Sequence, residues 1–260
     1  MSRKTWFLGA VLLVLFVVAC GPSEEEVASA AQAEAWTALQ EEHAVLVGLR
    51  GELTATRAEI AAGPEGDEDT GLSPEEQAMQ LEEKAAEQEA AVNEKADAFS
   101  TTLVGFINEH AGFQGEETND VQGAAIRLKS DEDIELAREY VTKGGDYKRA
   151  LDIVKNAAVV DPDNAKLQEV IIELTELRYM DEDRFALVKK GMSEAQVRAA
   201  IGQVFHGNVR GQGEITYWLY PKEEGAASGV YFREVRGQLS VYDTNFSAVK
   251  TAVERAEQSR

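Results

Sequence analysis

The groups in this chain with intrinsic chemistry are one thiol, three imidazoles and 47 carboxylates among 260 residues. The imidazoles belong to His43, His110 and His206, which are isolated; no two share metal-ligand spacing. Acidic pairs such as Glu41-Glu42 fall on the solvent faces of predicted helices. There is no Gly-x-Ser-x-Gly elbow, no phosphate loop and no dinucleotide fingerprint. These residues predict a protein that is not an enzyme, with no cofactor, no metal site and no evident small-molecule substrate. A carboxylate pair assembled from distant segments stays open, because linear spacing does not report it.

The one thiol, Cys20, closes a distinctive stretch. Arg3 and Lys4 give a basic head, an apolar run covers 6–18, and the chain then reads Val17-Val18-Ala19-Cys20. The run is shorter than the ~20 residues of a bilayer span and ends in small residues, the pattern of a secretory signal. It resembles the bacterial lipoprotein signal. That resemblance implies a diacylglycerol on Cys20, removal of residues 1–19 and acylation of the new amino terminus. Burial contributes about 0.8 kcal/mol per CH₂, so several acyl chains tether firmly where one does not. The resemblance also implies an outer-membrane location facing the periplasm, since Gly21 stands where an Asp would favour inner-membrane retention. The alternative, an uncleaved anchor with an incidental cysteine, also ties the chain to a membrane. A lone cysteine excludes an intramolecular disulfide.

Charge bounds the partners. The chain carries a net −21. Residues 21–120 hold 24 acidic and 4 basic side chains, whereas 121–260 hold 23 and 20. Nucleic acid is excluded as a partner, because phosphate binding needs clustered Lys and Arg.

Elements that would carry a binding surface are readable. Residues 24–62 form one long predicted helix with Leu39, Leu46, Leu53 and Ile60 every seven residues, Trp36 and Leu49 beside them, and Gly48 and Gly51 as weak points. A Gly/Pro/acidic loop covers 63–72. Ser73-Pro74-Glu75-Glu76 starts a second helix running to about His110, with Ala78, Ala85, Val92, Phe99 and Phe106 in register. The two form an acidic, coiled-coil-like antiparallel hairpin. It is either a stalk or a partner groove with Trp36, Phe99 and Phe106 as anchors.

After a polar linker at 116–120, helices are predicted over 131–143, 146–160 and 165–179. Gly145-Asp146-Tyr147, Ala150-Leu151, Ala157 and Asp161-Pro162-x-Asn164 resemble a tetratricopeptide repeat, with Ala137 and Tyr140 matching its first helix. A single repeat implies a packing module or, less readily, a peptide site.

Towards the end, Ser193 is a predicted cap with Gln196 returning the bond, and Gly202 a left-handed stop. Alternation at 215–220, then Val230-Tyr231-Phe232, an Arg236-Gly237 turn and 239–242 predict a three-stranded antiparallel meander under two helices. Gly191-Met192-Ser193, Val197, Gly202, Trp218-x-Tyr220, Tyr231-Phe232 and Gly237-x-Leu239 resemble the SmpA/OmlA (BamE-like) family, although Val204 stands where that family commonly has Pro. Its members include small outer-membrane lipoproteins of barrel assembly, and its topology resembles proteinaceous β-lactamase inhibitors. Trp218, Tyr220 and Phe232 are candidate partner-binding aromatics on the face away from the helices, or else ordinary sheet core. A last helix is expected over 246–257.

The expectation is thus a signal peptide (1–19), helical hairpin (20–112), tetratricopeptide-like segment (121–180), small α+β domain (183–245) and C-terminal helix or tail (246–260). Its expected function is that of a lipid-anchored, non-catalytic envelope adaptor that binds protein partners, with a passive spacer or a regulator of a periplasmic enzyme as alternatives.

Overall fold

A computed structural model describes residues 23–63, 72–110 and 119–250. The signal stretch with Cys20, most of the 63–72 loop and the linker before residue 119 lie outside the described residues. The chain is mostly helical, with a four-stranded antiparallel sheet at its C-terminal end.

Helix α1 (Glu24–Ala62) starts at a capping box. The Ser23 hydroxyl accepts the Glu26 N–H at 3.1 Å, and the Glu26 carboxylate accepts the Ser23 N–H at 2.8 Å. Helix α2 (Pro74–His110) starts the same way at Ser73 and Glu76. The predicted heptads meet as one seam: Leu39, Leu46 and Leu53 from α1 are buried among Ala85, Val92, Phe99, Leu103 and Phe106 from α2. No described helix is long and apolar enough to cross a membrane.

Helix α3 (Asp120–Gly144) begins well before the expected Asp131. Asn119 caps it, and Val121, Ala125 and Leu128 give an apolar stripe that packs on the hairpin seam. Its second half, with Ile134 and Ala137, joins a different core shared with α4 (Tyr147–Val160) and α5 (Ala165–Leu177). One helix therefore bridges two cores, and the expected boundary between hairpin and middle segment is not a break in packing. Three side chains pin α3 to the hairpin. Arg50 holds Glu132 bidentately, both bonds 2.9 Å, and His43 Nε2 lies 3.1 Å from the same carboxylate. Burial opposes the Arg50 charge, yet the hydrogen bond and attraction from Glu132 raise its pKa.

Glu89 of α2 joins a second clamp, pairing with Lys143 of α3 at 2.8 Å and Arg57 of α1 at 2.7 Å. The Lys143 hydrogen bond, against some burial, holds the Glu89 carboxyl below its usual range. A lowered folded pKa means stability present above the unfolded value, about 4.3, and lost as pH falls through the lower folded value. Replacing Glu89 by Gln is expected to cost about 0.5–1 kcal/mol at pH 7, a modest figure because the pair is partly solvated. Urea midpoints of the two proteins are expected to converge in strong acid; a constant gap would contradict the clamp.

Short helices α6 (Glu182–Phe185) and α7 (Glu194–Ile201) precede the sheet, and the Ser193–Gln196 cap is present as expected. The expectation of three strands is corrected to four: β1 (Val209–Gln212), β2 (Ile215–Glu223), β3 (Ala226–Val235) and β4 (Gln238–Val249), paired in that order. Gly202 has positive φ but an extended ψ of 171°, so it stops α7 without the left-handed helical cap. Arg236 and Gly237 both take positive φ and make the tight β3–β4 turn. The expected helix over 246–257 is corrected over residues 246–249, and the rest of the expected helix and tail, 251–260, lies outside the described residues. Residues 246–249 continue β4, because Ala227 and Gly229 of β3 offer backbone partners to Val249 and Asn245 across an irregular register.

Candidate protein-docking groove

The groove arises where apolar residues at the margins of the two helical cores meet exposed ones. In α4, Ala150, Leu151, Val154 and Ala157 face inward, so the final Val159-Val160 must point elsewhere. In α2, Leu103 and Phe106 enter the seam, which turns Val104 aside and leaves Ile107 half-buried at the seam's edge. Val104 and Ile107 of α2, Ile126 and Leu136 of α3, and Ile153 and Val160 of α4 line an open groove of about 380 Å³. Val104 is 40%, Leu136 43% and Val160 64% exposed. Contiguous exposed apolar walls of this kind mark interaction surfaces.

Polar groups hold the groove in shape. The buried Ser130 hydroxyl donates to Asp161 Oδ2 at 2.9 Å, and Asn164 Nδ2 donates to the same oxygen at 2.8 Å, tying α3 to the α4–α5 corner. Lys129 pairs with Asp133 one turn along α3. The groove is therefore preformed and mainly apolar, with Lys129, Ser130, Asp133 and Asn156 among its lining, and an apolar groove is what a helix-in-groove site offers.

The expected partner aromatics lie elsewhere. Trp218 is 1% and Phe232 0% exposed, their rings 4.5 Å apart inside the α6–α7–sheet core. Arg198 of α7 stands 4.7 Å over the Trp218 ring, so Trp218 faces the helices. Tyr220 is buried beside them and donates its hydroxyl to the Gly202 carbonyl at 3.1 Å; burial pushes its phenol well above the ordinary range. These three are core, which corrects their reading as a partner surface. The strand's alternation places Tyr217 on the outer face, its ring tilted against Tyr231 at 5.8 Å, with Tyr242 edge-on to Tyr231 at 6.3 Å. Phe99 and Phe106 are likewise spent in the hairpin seam, with Trp36 half-buried against Phe106 at 5.8 Å.

The histidines stay apart: His43 at Glu132, His110 against Phe106 and His206 against Phe205. Among the described residues, no three His, Cys, Asp or Glu side chains could hold a metal ion. Cys20 lies outside the described residues. Comparison of the chain with models of protein families, with characterised proteins and with solved structures returns no match.

Proposed function

We propose that this chain is a lipid-anchored, non-catalytic adaptor of the bacterial cell envelope, tethered through Cys20 at the outer membrane and facing the periplasm, and that the α2–α3–α4 groove holds an amphipathic helix of a partner protein. The preformed apolar groove carries this reading. The occupant has apolar residues at three- and four-residue spacing to match the groove walls. Its flanks are basic, because the hairpin beside the groove belongs to a segment with a net charge of −20. The tetratricopeptide-like reading of α3–α5, from Gly145-Asp146-Tyr147 and the small Ala137 and Ala150 contacts, and the BamE-like reading of the terminal unit, from Gly191-Met192-Ser193 and Trp218-x-Tyr220, belong to the same proposal.

Geometry relates tether and groove. Helix α1 starts a few residues after Cys20. Trp36, twelve residues into it, stacks on Phe106 next to the groove wall. At 1.5 Å per residue that is about 18 Å of helix, whereas the far end of the hairpin is roughly 58 Å away. The groove thus lies towards the amino-terminal end of α1, the end that the proposed tether would hold.

The test is a photo-crosslinking residue in place of Leu136, with the adduct sequenced from intact envelopes. The expected adduct is a helical segment with an apolar ridge and Lys or Arg flanks, lost at least tenfold when Val160 is also changed to Asp. Adducts only with lipid or with a second copy of the chain, or none, would overturn the proposal; a passive spacer gives none.

A further inference from the structure

A second cavity, of about 410 Å³, opens where the helical part meets the sheet unit. Its walls are fixed before any ligand arrives. The Met180 N–H donates to the Pro221 carbonyl at 2.7 Å, and the Tyr220 hydroxyl to Gly202 at 3.1 Å. Gly145, at φ +63°, approaches so closely that an added Cβ would sit 2.5 Å from the Gln203 oxygen. The volume falls within the range of small-molecule sites, about 300–1,000 Å³, and such sites favour junctions between units.

The lining is apolar at Met180, Ile201 and Phe205, with two guanidinium groups, Arg178 and Arg184. Arg184 donates to the Leu177 and Tyr179 carbonyls at 3.1 and 3.0 Å, and Arg178 lies 4.9 Å over the Tyr179 ring. Among the described residues neither forms an ion pair. Of the carboxylates nearby, Glu173 of α5 is exposed and within electrostatic reach of the Tyr147 hydroxyl, and the others are engaged or exposed. Asp152, which senses Arg178, is paired with Lys148 at 2.7 Å; Asp146 caps α4; Glu223 and Glu224 are exposed at the mouth. The Tyr147 hydroxyl also lines the cavity and makes no hydrogen bond among the described residues, leaving a neutral donor free. Burial raises its pKa, so it stays protonated at neutral pH.

We infer that this cavity binds a small apolar monocarboxylate, its carboxylate held by Arg178, Arg184 and the Tyr147 hydroxyl and its hydrocarbon body lying on Met180, Ile201 and Phe205. Two unpaired guanidiniums beside an apolar wall are stabilised by one negative charge on an apolar body; a neutral ligand leaves both charges uncompensated. This site does not depend on the groove or on lipidation.

The test uses the full chain in a non-ionic detergent and a photoreactive diazirine analogue of decanoic acid, with labelled peptides mapped by mass spectrometry. Labelling is expected within residues 177–184 and 201–208, displaced by decanoate and at least tenfold less well by decanol. Arg178→Gln is expected to weaken labelling at least fivefold and Tyr147→Phe two- to fivefold, with Leu136→Asp in the groove having no effect. Arg184 also caps α5, so Arg178→Gln and Tyr147→Phe, whose side chains make no hydrogen bond across elements, carry the decision. Labelling confined to other residues, equal displacement by decanol, or no response to both variants would overturn the site.

Discussion

Trp218→Ala is expected to unfold the sheet unit while the hairpin stays folded. Trp218 is 1% exposed and pairs across the strands with Val230. Its ring packs on Phe232, and Arg198 of α7 covers it. Truncation removes the largest side chain from a core of eleven buried residues and leaves a cavity that two short helices and a meander cannot close. Comparable aromatic truncations cost about 3–5 kcal/mol, much of the 5–15 kcal/mol that holds a typical domain together. Hydrogen exchange read by mass spectrometry separates the outcomes. Residues 185–249 are expected to lose protection and residues 24–110 to keep it. Unchanged protection over the strands would place the sheet core elsewhere.

Phe99→Ala is the mirror experiment. Phe99 is fully buried at the middle of the α1–α2 seam, with the His43 ring 5.3 Å away. Its loss opens the seam close to where α1 is clamped to α3 through His43, Arg50 and Glu132. A cost of about 3–5 kcal/mol is expected again. Here exchange rises in α1, α2 and the first half of α3, and the sheet unit is spared. Because α3 belongs to two cores, protection is expected to fall partway along it, between Leu128 and Ile134. Loss spread evenly over the whole chain would show one cooperative core instead of several.

The two experiments also indicate what could be read from the residues alone. Repeats of seven placed Leu39, Leu46, Leu53, Val92 and Phe99 in one seam, because a heptad leaves a helix pair little choice of face. Serine caps at 73 and 193 marked helix starts for an equally local reason. Where tertiary partners decide, local signals failed. The start of α3 was hidden because Val121, Ala125 and Leu128 are spaced among Gly123 and polar residues, and become a stripe only against the hairpin. Strand β1 has four residues, one a glycine, and exists because β2 offers an edge. Residues 246–249 carry helix-compatible side chains, yet β3 claims their backbone.

Site residues followed the same rule. Trp218 and Phe232 were visible as large aromatics, but alternation alone does not say which face the helices cover. The groove had one local trace, the Ala157-Ala158-Val159-Val160 run, which is too apolar for a helix with a single buried side. Its other walls come from α2 and α3, about 25 to 55 residues earlier in the chain. The cavity between the helical part and the sheet had no trace at all, since its lining is gathered from Gly145 to Gly225.

The adaptor reading depends on confinement to a surface, and the amino terminus of the chain isolated from membranes reports it most directly. Mass spectrometry of that peptide is predicted to find Cys20 as the first residue, with a diacylglycerol thioether on its sulfur and an acyl group on its nitrogen. A peptide that still begins at Met1, or a Cys20 with a free thiol, would contradict the lipid tether.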